Sequence, residues 1–312
     1  MMNGLKRIFA VHFFLCLLSV LFGGEAPAKE TLSTAGGAVM PQRVVSLAPS
    51  VTETLFALGL GDRLVGVTTY CDYPVEARRL PKIGDFKTPN LEAIVAKKPD
   101  LVIGVAGSTD PIRAKEMKRL GFKVTLIPVG NLAEILNSIK SIARLLGREE
   151  VGERLVTKIN TQVQEVKKRV GRVPRRAVLL VVGRRPLVAV GKKNFIDELI
   201  TLAGGENIAG NVSQPWLHLP EEYVVARAPQ VIIEAGMGSE REEFDKHWGD
   251  LRSIPAVREG RIYSYSSDKI LRPGPRFGEA LVELARLIHP ECFASPSSRK
   301  RSEESRCESP KP

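Results

Sequence analysis

Two stretches far apart in the chain share one pattern. "LEAIVAKKPDLVIG" (Leu91 to Gly104) lines up with "EEYVVARAPQVIIE" (Glu221 to Glu234). In each, a Glu (Glu92, Glu222) stands seven residues before a Pro (Pro99, Pro229). Proline has no N–H for a helix interior, so each Pro ends a helix and opens a buried strand behind it. A chain that does this twice is expected to form two similar lobes. The surrounding sequence agrees. "RVVSL", a helix "VTETLFALG", "LVGVTT", a helix "LEAIVAKK", "DLVIGV", a helix around "IRAKEMKRLG" and "KVTLIPV" alternate up to the middle of the chain. After Gly171 the alternation restarts with "AVLLVV" and "LVAVG". Strand and helix in alternation predict an α/β fold class, two lobes with mainly parallel sheets.

Between the lobes, Val151, Leu155, Ile159, Val163, Val166 and Val170 recur at spacings of three and four. They form one apolar stripe on a helix of roughly 22 residues, about 33 Å long. No heptad continues far enough for a coiled coil, so the helix is expected to be a stiff connector lying across both lobes. The predicted organisation is an N-terminal lobe over 41–148, a backbone helix over 149–171 and a C-terminal lobe over 172–293. Two α/β lobes on a rigid helix leave a cleft between them, where a ligand binds.

The chain's start decides its compartment. Lys6 and Arg7 precede the apolar run Ile8 to Phe22, and "APA" ends at Ala28. This is the layout of a secretory signal peptide, 1–28, with cleavage after Ala28. The apolar run is short of the roughly 20 residues a bilayer span needs. Lipid anchoring at Cys16 is not expected, because Phe13, Phe14 and Leu15 are bulky where a lipoprotein signal has small residues. Residues 29–40 read as a linker. From Ala294, "ASPSSRKRSEESRCESPKP" is Ser, Pro and charge without apolar periodicity, and is expected to be a disordered tail, 294–312. Of the cysteines left after cleavage, Cys71, Cys292 and Cys307, only Cys292 and Cys307 lie near each other in sequence. A net charge of +11 raises a nucleic-acid partner. The basic residues are scattered rather than striped, and export argues further against that partner.

Enzyme signatures fail in turn. "GLGDRLVG" lacks the third glycine of a dinucleotide loop and follows a helix. No G-x-S-x-G is present, and His218, His247 and His289 lie far apart, without metal-ligand spacing. What stands out instead is a set of residues in loops at strand ends: Tyr70, Asp72 and Tyr73 in "TTYCDYP", Phe86 in "GDFKTPN", Trp216 in "QPWLHLP", and Asp268, Arg272 and Arg276 in "SSDKILRPGPR". Flat aromatic walls with a few polar groups suit a large, planar small molecule. Tyr73, beside Pro74, is read as a loop anchor. Ser50-x-x-Glu53, at the start of the first helix, reads as a capping box.

Taken together, "VVSLAPSVTETLFALGLGDRLVGVTTYCDYP", "NLEAIVAKKPDLVIG", "GGENIAG", "EEYVVARAPQVII" and "RPGPR" resemble the cobalamin-binding subgroup of periplasmic substrate-binding proteins of ABC importers. The wider family has a helical backbone and includes siderophore- and haem-binding members. The resemblance runs from Arg43 to about Ile288. It implies a monomer that is not an enzyme, has no cofactor or metal, and captures a ligand in the periplasm for a transmembrane permease. Tyr70, Phe86, Trp216, Asp268 and Arg272 fall where family members line the cleft. Glu53 and Glu222 fall where a Glu on each lobe meets permease arginines. The implied ligand is cobalamin or a related corrinoid. Leu187 and Val188 depart from the pattern, standing where cobalamin binders offer an aromatic. Arg272 and Arg276 would equally suit a carboxylate- or catecholate-bearing iron chelate or haem propionates. From another class, the rival is an exported enzyme using the same cleft, with Asp268 as acid or base.

Overall fold

A computed structural model describes residues 40–184, 186–235, 248–265 and 268–294. The predicted signal peptide, most of the linker and the tail beyond Ala294 lie outside them, as do His247 and Cys307. Among the described residues no helix is long and apolar enough to cross a membrane.

The first lobe runs β1 (Val44–Ser46), α1 (Pro49–Ala57), β2 (Leu64–Val67), α2 (Leu91–Ala96), β3 (Leu101–Val105), α3 (Pro111–Arg119) and β4 (Val124–Ile127). Its sheet has the order β2-β1-β3-β4 with every pair parallel. Strands β1 and β3 are buried along their whole length. That is the burial of strands covered on both faces, and it explains their continuous apolar runs.

Next come α4 (Leu132–Leu145) and α5 (Glu149–Val170), the latter the expected 22-residue helix. Helix α4 was not anticipated, although Ile135, Ile139 and Ile142 recur at helical spacing and are buried. Asn131 caps it, accepting a hydrogen bond from the Glu134 N–H. The buried stripe of α5 contains Ile159, Val163, Val166 and Val170 as expected, but at its start shifts to Gly152 and Val156. Leu155 is partly buried and packs against both lobes' cores, as befits a backbone helix.

Gly152 of α5 packs tightly against α4. A Cβ there would lie 2.5 Å from the Cβ of Ala143, so the helices must separate to admit one. Alanine gains about 1 kcal/mol of helix propensity over glycine, whereas overpacking costs ~1–3 kcal/mol. Gly152→Val, larger and β-branched, is therefore expected to lower the unfolding free energy by about 2 kcal/mol in urea titration; an unchanged midpoint would show that the crossing yields freely.

The second lobe runs β5 (Arg176–Arg184), β6 (Leu187–Val190), α6 (Phe195–Leu202), β7 (Gly205–Asn207), β8 (Trp216–His218), α7 (Glu221–Arg227), β9 (Val231–Glu234), α8 (Pro255–Arg258), β10 (Ile262–Ser264) and α9 (Phe277–Ile288). Its sheet order is β10-β9-β5-β6-β8, with β7 beside β5. The pairs β10–β9, β9–β5 and β5–β7 are parallel, while β5–β6 and β6–β8 are antiparallel. This lobe's sheet is thus mixed, three parallel pairs with an antiparallel end formed by β6 and β8. Only Arg185 and Pro186 separate β5 from β6, too few residues for the crossover that a parallel pair needs.

The repeat is real in three dimensions. Helix α2 leads into β3 as α7 leads into β9, with Ile94 and Val224 buried at matching positions. Lys98 (φ 46°) and Ala228 (φ 45°), each one residue before the repeat's Pro, are the non-glycine residues with positive φ among those described. Each closes its helix in the left-handed conformation before the chain turns into the strand.

Candidate functional site

Glu53 is the first surprise. Helix α1 starts at Pro49 with Ala48 as its N-cap, and no side chain caps it. Ser50 therefore sits inside the first turn, where its carbonyl accepts a hydrogen bond from Thr54 Oγ1 at 2.7 Å. The capping box does not form. Nor does Glu53 face outward: its side chain is 1% exposed and lies between two arginines of the other lobe.

Arg276 grips Glu53 as a fork, Nε to Oε2 at 2.7 Å and Nη2 to Oε1 at 2.5 Å. Arg272 reaches the same carboxylate, Nη1 to Oε1 at 3.0 Å. Its Nη1 also meets Asp72 Oδ1 at 2.7 Å, and its Nη2 donates to Asp268 Oδ2 at 2.6 Å and to the Tyr70 carbonyl at 3.2 Å. Burial opposes the Arg272 charge, but the hydrogen bonds it donates to Asp72 and Glu53 outweigh it and raise the guanidinium's pKa above its ordinary value. The lobes are thus joined by the "RPGPR" segment. Between its two prolines, Gly274 lies against α1: a Cβ there would be 3.3 Å from both Cβ and carbonyl of Ser50.

The segment is held from behind. Asp268–Leu271 forms a 3-10 turn, and Lys269 within it pairs with Glu283 of α9, as does the Tyr265 hydroxyl. Burial pushes the Tyr265 phenol up, and its hydrogen bond to Glu283 adds to this. For Glu283 burial acts upward, but Lys269 and Tyr265 more than offset it and its carboxyl is lowered.

The junction carries an aromatic rim. Tyr70 is 49% exposed and meets Phe86 edge-on, with centroids 5.7 Å apart at 62°. Tyr73 is not the buried anchor expected: it is exposed, with the Arg276 guanidinium 3.8 Å from its ring centroid. The structure therefore gathers Tyr70, Phe86, Asp268 and Arg272, and adds Asp72, Tyr73 and Arg276. Trp216 stands apart. It lies in the edge strand β8 rather than a loop, 44% exposed, and among the described residues no ring or polar contact ties it to the junction. Leu187 is buried and Val188 half-buried in β6.

Elsewhere, His218 is exposed in β8. His289, Glu291 and Cys292 converge, with one ligand-type atom from each within 4.8 Å of the others, an association that chain spacing did not suggest. Both ring nitrogens of His289 are engaged, by Glu291 at 3.0 Å and by the Gly204 carbonyl at 3.0 Å, and Arg176 holds Glu291 at 3.1 Å. The trio ties the end of α9 to the turn before β7. Two hollows of about 420 and 440 Å³ flank α5. No aromatic residue lines either, and neither includes the junction; the junction is the candidate site on chemistry rather than on volume.

Glu222 is exposed in the first turn of α7. Its counterpart in the repeat is Glu92, exposed in the first turn of α2. The matching surface carboxylate of the first lobe is therefore Glu92, not Glu53. The repeat itself was the signal that could have found it.

Comparison with known proteins places the chain. The family described as "Periplasmic binding protein" matches residues 44–269. An uncharacterized ABC transporter substrate-binding lipoprotein of Bacillus subtilis is 32% identical over 263 residues, 81% of this chain and 82% of that protein. Among solved structures, the periplasmic vitamin B12 binding protein of Vibrio cholerae superposes with a TM-score of 0.73 at 25% identity, covering 82% of this chain and 99% of that one. The periplasmic heme-binding protein of Roseiflexus sp. RS-1, in apo form, gives the same TM-score at 28% identity, covering 80% and 99%.

Proposed function

The chain belongs to the periplasmic binding protein family, a family of substrate-binding proteins, and from that premise we propose that it captures cobalamin or a related corrinoid and delivers it to an ABC importer permease. It is exported by residues 1–28 and works in the periplasm, binding its ligand without turnover. The observation that carries the ligand class is the junction itself, where the exposed Tyr70–Phe86 edge adjoins the polar groups of Asp268 and Arg272. Aromatic faces supply contact area to a flat macrocycle, and a few fixed polar groups orient its side chains. Trp216 belongs to this reading as a ligand-lining residue of the second lobe, one that meets the rest only across a bound ligand. Docking on the permease falls to Glu92 and Glu222, the exposed carboxylates related by the repeat.

Calorimetric titration with cyanocobalamin, aquocobalamin and cobinamide tests the ligand. Binding at micromolar concentration or tighter is expected, and Phe86→Ala should weaken it about fivefold, equivalent to roughly 1 kcal/mol of aromatic contact. Failure of all three to bind would retire the corrinoid and put haem or a ferric siderophore first. That second reading draws on the equal likeness to a heme-binding protein.

A further inference from the structure

We propose that the junction selects against anionic ligands and that Asp72 is the residue that sets this selectivity; this deepens the proposed function and takes the junction as the ligand site from it. Arginines in a cleft suggest an anion receptor, but here Arg272, the one that reaches Asp72 and Asp268, is already satisfied. Three carboxylates, Glu53, Asp72 and Asp268, face the guanidiniums of Arg272 and Arg276, leaving one negative charge in excess. Both terminal nitrogens of Arg272 have two acceptors each, so its four terminal N–H groups are spoken for. Arg276 gives its fork to Glu53.

A ligand carboxylate or catecholate that approached Arg272 would have to displace Asp72 or Asp268, and either would remain nearby as a like charge. Lys82 of the first-lobe loops is also engaged. Its Nζ donates to the carbonyls of Cys71 and Ala77, while Lys87 Nζ lies 6.0 Å from the Phe86 ring centroid. A ligand rim of neutral amides meets no such cost, because amides can donate to the outer oxygens of Asp72 and Asp268. Asp72 is the adjustable member. Its side chain is 46% exposed, against 32% for Asp268 and 1% for Glu53, so it can be changed with least damage to the fold.

Two pairs of probes that differ chiefly in charge provide the test: cyanocobalamin against its monocarboxylic acid, and haemin dimethyl ester against haemin. Calorimetry on wild type and on Asp72→Asn, at low and at physiological salt, gives the affinity ratio within each pair. In wild type the uncharged member should bind about tenfold tighter at low salt, with the ratio shrinking as salt screens the exposed carboxylate. Asp72→Asn should reduce the ratio at least threefold, with an unfolding midpoint near wild type confirming the fold. A wild-type ratio near one, or a ratio that Asp72→Asn leaves unchanged, would overturn the proposal. If only the haem pair binds and the ester binds tighter, the corrinoid reading falls while the charge selection stands. If cyanocobalamin and its acid bind equally, the reverse holds. Binding of none of the four to either protein would sink both.

Discussion

Glu53→Ala is expected to lower the unfolding free energy by about 3 kcal/mol or more, far beyond the loss from removing a helix cap. The two roles conceivable for this residue differ in magnitude, which lets a single measurement separate them. A capping side chain is worth ~1 kcal/mol. Removing one partner from a buried ion cluster costs ~3–5 kcal/mol, because the opposite charge stays buried without compensation. In this protein the group left behind is Arg276, whose fork has Glu53 as its carboxylate partner. Arg272 suffers less, since Asp72, Asp268 and the Tyr70 carbonyl remain. Glu53→Gln should fall in the same range, because an amide NH₂ turned toward a guanidinium repels it. Pairing Glu53→Leu with Arg276→Leu should recover most of the loss, as apolar replacement of a buried ion pair is often neutral. Urea unfolding at constant m-value reads all of these. A loss of 1 kcal/mol or less for Glu53→Ala would mean that the lobe junction is not held by this carboxylate.

The same residue shows where sequence reasoning stops. Ser50-x-x-Glu53 has the local spelling of a capping box, yet Pro49 takes the first helical position and draws Ser50 inside. Glu53's true partners lie 219 and 223 residues away, on a lobe whose approach no local pattern records. Features governed by neighbours in sequence were legible. The prolines of the repeat ended their helices, with Lys98 and Ala228 turning left-handed at matching places. The apolar stripe of α5 ran as spaced from Ile159 onward. Features governed by distant pairing were not. Trp216 lies in a strand of only three residues, which exists because β6 is beside it. Tyr73 next to a proline looked like an anchor, and is instead an exposed ring on Arg276, a cation from the other lobe.

Joint replacement of Glu92 and Glu222 by Ala should cut ligand uptake by more than about 100-fold while leaving ligand affinity unchanged. Each carboxylate is exposed in the first turn of its helix, and neither is among the junction residues. Their local effect is small: an acidic side chain at a helix start contributes ~0.3–1 kcal/mol through the macrodipole. Such a loss leaves the protein folded and says nothing about transport. Docking is another matter, since losing a hydrogen-bonded charge pair buried at an interface costs ~2–5 kcal/mol. At 1.4 kcal/mol per tenfold, one such loss is at least about 30-fold in affinity for the permease. Single variants should thus each show a severe defect at limiting concentration of the binding protein, partly rescued when its concentration is raised. Radiolabelled cyanocobalamin uptake by the native host, set beside calorimetric affinity of the purified variants, separates docking from capture. Uptake that tracks wild type in the double variant would exclude the two carboxylates as the docking pair. Glu53 could not take their place, because a side chain locked between Arg272 and Arg276 has no free oxygen to offer a permease arginine.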